Sequence, residues 1–157
     1  YYRALSAETN VTDAKAYVAY LDAQNAVDVK RKIGTTGYCM GGPMVMRTAA
    51  ALPERIGAGG SFHGSGLVTN DAESPHLLIK NMQADLLIAV AANDDERAPN
   101  DKEVLRKTAA KYGLKAEIEV YEGAMHGWCP PDSRVYHEKQ AEQAWVRLLH
   151  TFENALG

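Results

Sequence analysis

The chain has 157 residues, of which 46% are hydrophobic and 24% charged, with a net charge of -3 at pH 7. That suits one ordinary globular domain with a sizeable core, and Lys and Arg scattered under a net negative charge argue against nucleic acid or an anionic membrane surface as a partner. No apolar run approaches the roughly 20 residues that cross a bilayer.

The opening stretch, YYRALSAETN, has no basic segment followed by an apolar one, so it predicts no secretory signal. Cys39 and Cys129 lie far apart and form neither a Cys-x-x-Cys pair nor a metal-ligand spacing. A disulfide framework is therefore not expected, and a reducing cytoplasm is the expected compartment.

In chain order, Asn10 is a candidate cap for a first helix, with Val11, Ala14, Val18 and Leu21 on one face. IGTTGY, 33–38, reads as a short strand that runs into a glycine turn. A second helix follows from about Gly41 to Leu52, with Pro43 acceptable in its first turn. IGAGGSF, 56–62, is a weak strand of small residues. LLIAVAA, 86–92, is an unbroken apolar run of the kind buried on both faces of a parallel sheet. Pro99 to Tyr112 has helical periodicity, and Gly113 is placed to stop it. AEIEVY, 116–121, alternates as a half-exposed strand. A last helix is expected from about Asp132 to Leu156, with Ala141, Ala144, Trp145, Leu148, Phe152 and Ala155 inward. Alternating strands and helices predict an α/β fold around a parallel sheet, with the whole of 1–157 as one domain.

The chemistry centres on TTGYCMGGPM, 35–44. A strand, then Gly-x-Cys-x-Gly, then a helix is the pattern of a nucleophile elbow. The sharp turn exposes Cys39, and the helix start that follows directs free N–H groups and its positive dipole end at the same place. That dipole favours the thiolate, and the N–H of Met40 is placed to meet an oxyanion. Two further candidates follow in the order acid, then base. The strongest strand ends in NDDERAP, 93–99, and the next ends in EGAMHGW, 122–128. Functional groups of parallel sheets sit just past strand C-termini, so Asp94 or Asp95 and His126 join Cys39.

GYCMGG, a later Asp-Asp before Ala-Pro, and Met-His-Gly-Trp together resemble the dienelactone hydrolase (carboxymethylenebutenolidase) family over nearly the whole chain. The resemblance implies the C-terminal portion of an α/β-hydrolase fold, hydrolysis of an ester or lactone, and no cofactor or metal. It makes Cys39 the nucleophile, His126 the base and Met40 an oxyanion donor. The family's proline four residues after its acid makes Pro99 select Asp95, with Asp94 the alternative. The family also carries strands and a helix ahead of the region that begins here, which implies that they lie outside this chain. Its carboxylate-binding arginine soon after the histidine is not matched; Arg3 and Arg134 are candidates for that contact, but the surface is the expected place for each.

His63 and Trp128 are the remaining candidates for the substrate pocket, each alternatively a packing residue. Ser61 and Ser65 lie near His63 but lack elbow spacing. Cys129 is expected to be inert. Tyr38 is expected to pack under the elbow, and His137 and His150 to lie on the exposed side of the last helix. The expected partner is a small ester or lactone, with oligomeric state open. A catalytically inactive hydrolase-fold module that binds ligands is the alternative reading.

Overall fold

A computed structural model of the chain describes residues 5–157. Arg3 lies outside the described residues. Helix α1 (Ala7–Asp22) begins one turn before the position expected of Asn10 as a cap. Ser6 is the cap because Thr9 closes a box with it. The Ser6 hydroxyl accepts from the Thr9 N–H at 3.1 Å, and the Ser6 N–H donates to the Thr9 hydroxyl at 2.8 Å.

Strands β1 (Ile33–Tyr38), β2 (Ile56–Phe62), β3 (Asp85–Ala91) and β4 (Ala116–Tyr121) form one sheet in the order β1-β2-β3-β4, every pair parallel. Helix α2 (Gly41–Ala51) connects β1 to β2, and a loop with a 3-10 turn (Pro75–Asn81) leads to β3. Two helices, α3 (Ala92–Arg97) and α4 (Asp101–Tyr112), connect β3 to β4. Gly113 ends α4 in the left-handed conformation at φ 66°, as its position predicts.

The apolar run of β3 is covered on both faces. Leu86 and Ile88 join Met46, Ile56, Ile79 and Leu105 under α2 and α4, while Leu87, Ala89 and Ala91 join Phe62, Tyr121, Trp128, Ala144 and Leu148 under α5 (Glu138–Leu156). Strand alternation divides one hydrophobic run between two cores. Strand β1 forms one edge of the sheet among the described residues. Beside it, α1 and α2 enclose an open cavity of about 460 Å³ lined in part by Val18, Leu21, Ile33 and Met44.

Helix α5 starts later than periodicity predicts. Pro130 and Pro131 open a looped stretch, and His137 caps the helix by accepting from the Gln140 N–H at 3.4 Å. His137 is thus a cap rather than a residue of an exposed face, whereas His150 is exposed as expected. Trp145, expected to point inward, is 50% exposed, because Ala144 and Leu148 occupy the stripe that meets the sheet. Among the described residues no helix is long and apolar enough to cross a membrane.

Candidate active site

All four strands run in the same direction, so their C-terminal ends share one edge, and each end delivers one polar side chain. Cys39 follows β1, His63 follows β2, Asp94 follows β3 within α3, and His126 follows β4. Hydrogen bonds beyond the strands hold these ends in place. The Cys39 N–H donates to the Phe62 carbonyl at 3.1 Å, the His63 N–H to the Ala89 carbonyl at 2.8 Å, and the Ala92 N–H to the Ala124 carbonyl at 2.8 Å.

Cys39 sits at φ 51°, in the left-handed region that non-glycine residues seldom occupy. The turn needs glycine at positions 37 and 42, but not at Gly41 of the Gly-x-Cys-x-Gly pattern, where a Cβ would meet nothing. A Cβ at Gly37 would collide with the Gly41 backbone, and one at Gly42 would lie 2.6 Å from the Gly64 Cα. Met40 immediately precedes α2 and, with Cys39, lines a cavity of about 680 Å³ together with Asn10, Arg47, Ser65 and His126. Tyr38 stacks on Phe62 at 4.8 Å between centroids while staying 41% exposed.

His126 is fastened twice to the segment after β3. Its N–H donates to the Asn93 side-chain carbonyl at 2.7 Å, and its Nδ1 lies 2.7 Å from Asp94 Oδ2. This corrects the expectation that Asp95 meets the histidine. The stretch from Ala92 to Arg97 is a helical turn and a half rather than an extended loop, so neighbouring aspartates point about 100° apart. Asp94 faces His126, while Asp95 faces α4 and takes both contacts of Lys102 Nζ, at 2.6 and 2.7 Å. Proline spacing does not register that rotation.

His63 differs from its expected place on the pocket wall. It is 1% exposed and lies beneath Cys39, with its Nδ1 3.2 Å from the Cys39 N–H and 3.3 Å from the Cys39 Sγ. Because a backbone N–H donates to it, Nδ1 is the unprotonated nitrogen. Nε2 then carries the hydrogen, buried and without a protein partner among the described residues. Burial, and next the neighbouring His126, hold His63 down at about 4, with Asp94 and a backbone hydrogen bond opposing. Its φ of 40° adds a second strained backbone position to the site.

The Cys39 thiol is pushed above its ordinary value, first by burial and then by the charge of Asp94. The dipole of α2 was expected to favour thiolate; burial and Asp94 act in the opposite direction. Cys129 is pushed up to about 12, by burial and then by Cys39, consistent with an inert thiol.

Trp128 also departs from expectation, since it is fully buried and does not reach the cavity. It stacks on Tyr121 at 5.2 Å and presents an edge to His63 at 5.0 Å, packing under the loop that carries His126. Arg134 is exposed and outside the cavity. Among the lining residues that the sequence reading did not assign to the site are Arg47 and Asn10, the latter read there as a helix cap. Arg47 has a buried Nε, and Asn10 a buried Oδ1, neither with a partner among the described residues. The signal for Arg47 was helical spacing, because 40, 43, 44 and 47 share one face of α2.

A parallel sheet presenting a strained cysteine elbow, with a histidine backed by a carboxylate, is the architecture of the α/β-hydrolase fold. A profile of the dienelactone hydrolase family matches residues 3–156, and the chain belongs to that family. It is 29% identical over 128 residues to a protein of Aquifex aeolicus provisionally named a carboxymethylenebutenolidase, covering 80% of this chain and 52% of that one. A protein of Synechocystis with the same provisional name is 29% identical over 150 residues, covering 93% of this chain and 59% of its own. A crystal structure assigned provisionally as a dienelactone hydrolase of Klebsiella pneumoniae superposes with a TM-score of 0.78 at 27% identity, covering 91% of this chain and 60% of that one. The chain thus spans between half and three-fifths of the length of these relatives.

Proposed function

We propose that the chain carries the catalytic side chains of an ester or lactone hydrolase that works through a thiol acyl-enzyme. The observation that carries this reading is a strained Cys39 within 4.8 Å of a His126 atom, with the other nitrogen of that histidine on Asp94 at 2.7 Å.

In this reading Cys39 leaves His63 and turns toward His126. Its Sγ forms a bond to the substrate carbonyl carbon as its proton passes to His126 Nε2. The negative oxygen that develops meets the Met40 N–H at the start of α2. Collapse breaks the ester C–O bond, and the proton held by His126 goes to the departing alkoxide, which in a lactone stays tethered to the acyl chain. Water then attacks the thioester with His126 as base, and the thiol is regenerated. Asp94 keeps the imidazole oriented and offsets the charge it gains. The attacking thiolate suits activated esters such as enol lactones, whose leaving groups need little protonation. Arg47 is the one cation lining the cavity among the described residues, and it fits a substrate bearing a carboxylate near the scissile group.

Hydrolysis of an activated aryl or enol ester by the full protein should fall to background in Cys39→Ala while the fold is retained by circular dichroism. A burst of thioester should also be trapped in the parent protein. Undiminished turnover in Cys39→Ala excludes the thiol mechanism, and a parent protein with no turnover that still binds esters supports the ligand-binding module instead.

A further inference from the structure

We propose that Cys39, His63 and His126 form an inhibitory site for a thiophilic divalent cation, with Zn²⁺ the ion of best fit. One ligating atom from each lies within 4.8 Å of the other two, and the Cys39 Sγ to His63 Nδ1 separation is 3.3 Å. Bonds of about 2.3 Å to sulfur and about 2.0–2.1 Å to nitrogen put neighbouring ligands of a tetrahedral zinc ion roughly 3.3–3.6 Å apart. Two corners of such a site are therefore already at bonding separation. The third requires His126, which is 30% exposed, to close by up to about 1.2–1.5 Å from the 4.8 Å limit, carrying its Asp94 contact with it.

The surroundings complete the fit. A ligating histidine commonly has its second nitrogen on a carboxylate, and His126 Nδ1 already meets Asp94 at 2.7 Å, leaving Nε2 for the ion. His63 presents Nδ1 as an unprotonated nitrogen, since the Cys39 N–H donates to it at 3.2 Å. Turning that lone pair to a cation strands no donor, because the same N–H also reaches the Phe62 carbonyl at 3.1 Å. The ring packs edge-to-face with Trp128, with centroids 5.0 Å apart. One thiol and two imidazoles select zinc and its borderline neighbours over Mg²⁺ or Ca²⁺. On binding, the S–H bond breaks, the proton leaves to solvent and an S–Zn bond forms. No electrons are exchanged. The fourth position opens to the cavity of about 680 Å³ and holds water.

The cation site stands on this geometry alone. Its consequence, a blocked nucleophile, rests on the hydrolase reading, so the test measures binding apart from turnover. Titrating the full protein with Co²⁺ as a zinc surrogate should give one equivalent of a near-ultraviolet thiolate-to-metal band. Zn²⁺ should displace it, and Mg²⁺ should not. Cys39→Ser should remove the band, whereas Cys129→Ser should keep it. His63→Asn and His126→Asn should each weaken Co²⁺ binding more than tenfold. In the unmutated protein Zn²⁺ should slow alkylation of Cys39 by iodoacetamide at least tenfold, which keeps the test decisive should the His63 variant fail to fold. A band that survives Cys39→Ser, affinities in both histidine variants within twofold of the parent, or alkylation indifferent to Zn²⁺ would overturn the proposal.

Discussion

Cys39 is held between two histidines that differ in exposure and partners. His126 is part-exposed and anchored by Asp94, while His63 is buried and holds the thiol at rest. His63 binds its proton less readily in the fold than in the unfolded chain, at about 4 against 6.5. Between those values the unfolded state takes up the proton first, so this contribution to stability is complete above pH 6.5 and is lost as pH falls toward 4. Melting temperature followed from pH 7 to pH 4 should fall, and His63→Asn should flatten that part of the profile. An unchanged profile would show that His63 is not held neutral by the fold. Arg47 is the second residue with a testable consequence. With its Nε buried and without a partner among the described residues, and lining the same cavity as the nucleophile, it should lower KM for esters that carry a carboxylate. Arg47→Ala is expected to raise KM for such an ester by about 10- to 100-fold, the loss of one charge-assisted contact. KM for a neutral ester of the same size should change little, and equal effects on both would remove the anion-binding role.

At the scale of elements, the site depends on four parallel strand ends lying side by side and on the short helix α3. That helix decides which aspartate is available. Asp94→Asn should lower kcat on the order of 10²- to 10⁴-fold, as loss of the orienting carboxylate does in other triads. Asp95→Asn should leave kcat within about threefold and cost no more than about 1 kcal/mol of stability, because its ion pair with Lys102 joins two part-exposed side chains. Kinetics and denaturant melts on the two variants separate the roles, and reversed kinetics would restore Asp95. Helix α2 contributes both the turn after Cys39 and the face that carries Met40, Met44 and Arg47.

For the whole molecule, two cores back one sheet, and the second lies directly behind the site. Trp128, Tyr121 and Phe62 fill it, so the histidine loop rests on aromatic packing. Trp128→Ala should cost about 3–5 kcal/mol as a large buried side chain is deleted. Trp145→Ala, at half exposure, should cost less than about 1 kcal/mol. Chemical denaturation of both variants checks this, and comparable losses would mean that the contacts of Trp145 are as well packed as the core.

The local pattern alone was enough for the α/β architecture, the strands at 33–38, 56–62 and 116–121, and the placement of Cys39 and His126 after strands. These rest on near-neighbour periods and on glycine chemistry, which a linear chain displays. Whether Asp94 or Asp95 reaches the histidine depended on a helical turn that rests against the ends of β3 and β4. The position of His63 under the sulfur, the burial of Trp128 and the exposure of Trp145 depended on which sheet face each met. Those are contacts between residues distant in sequence, and only the assembled sheet brings them together.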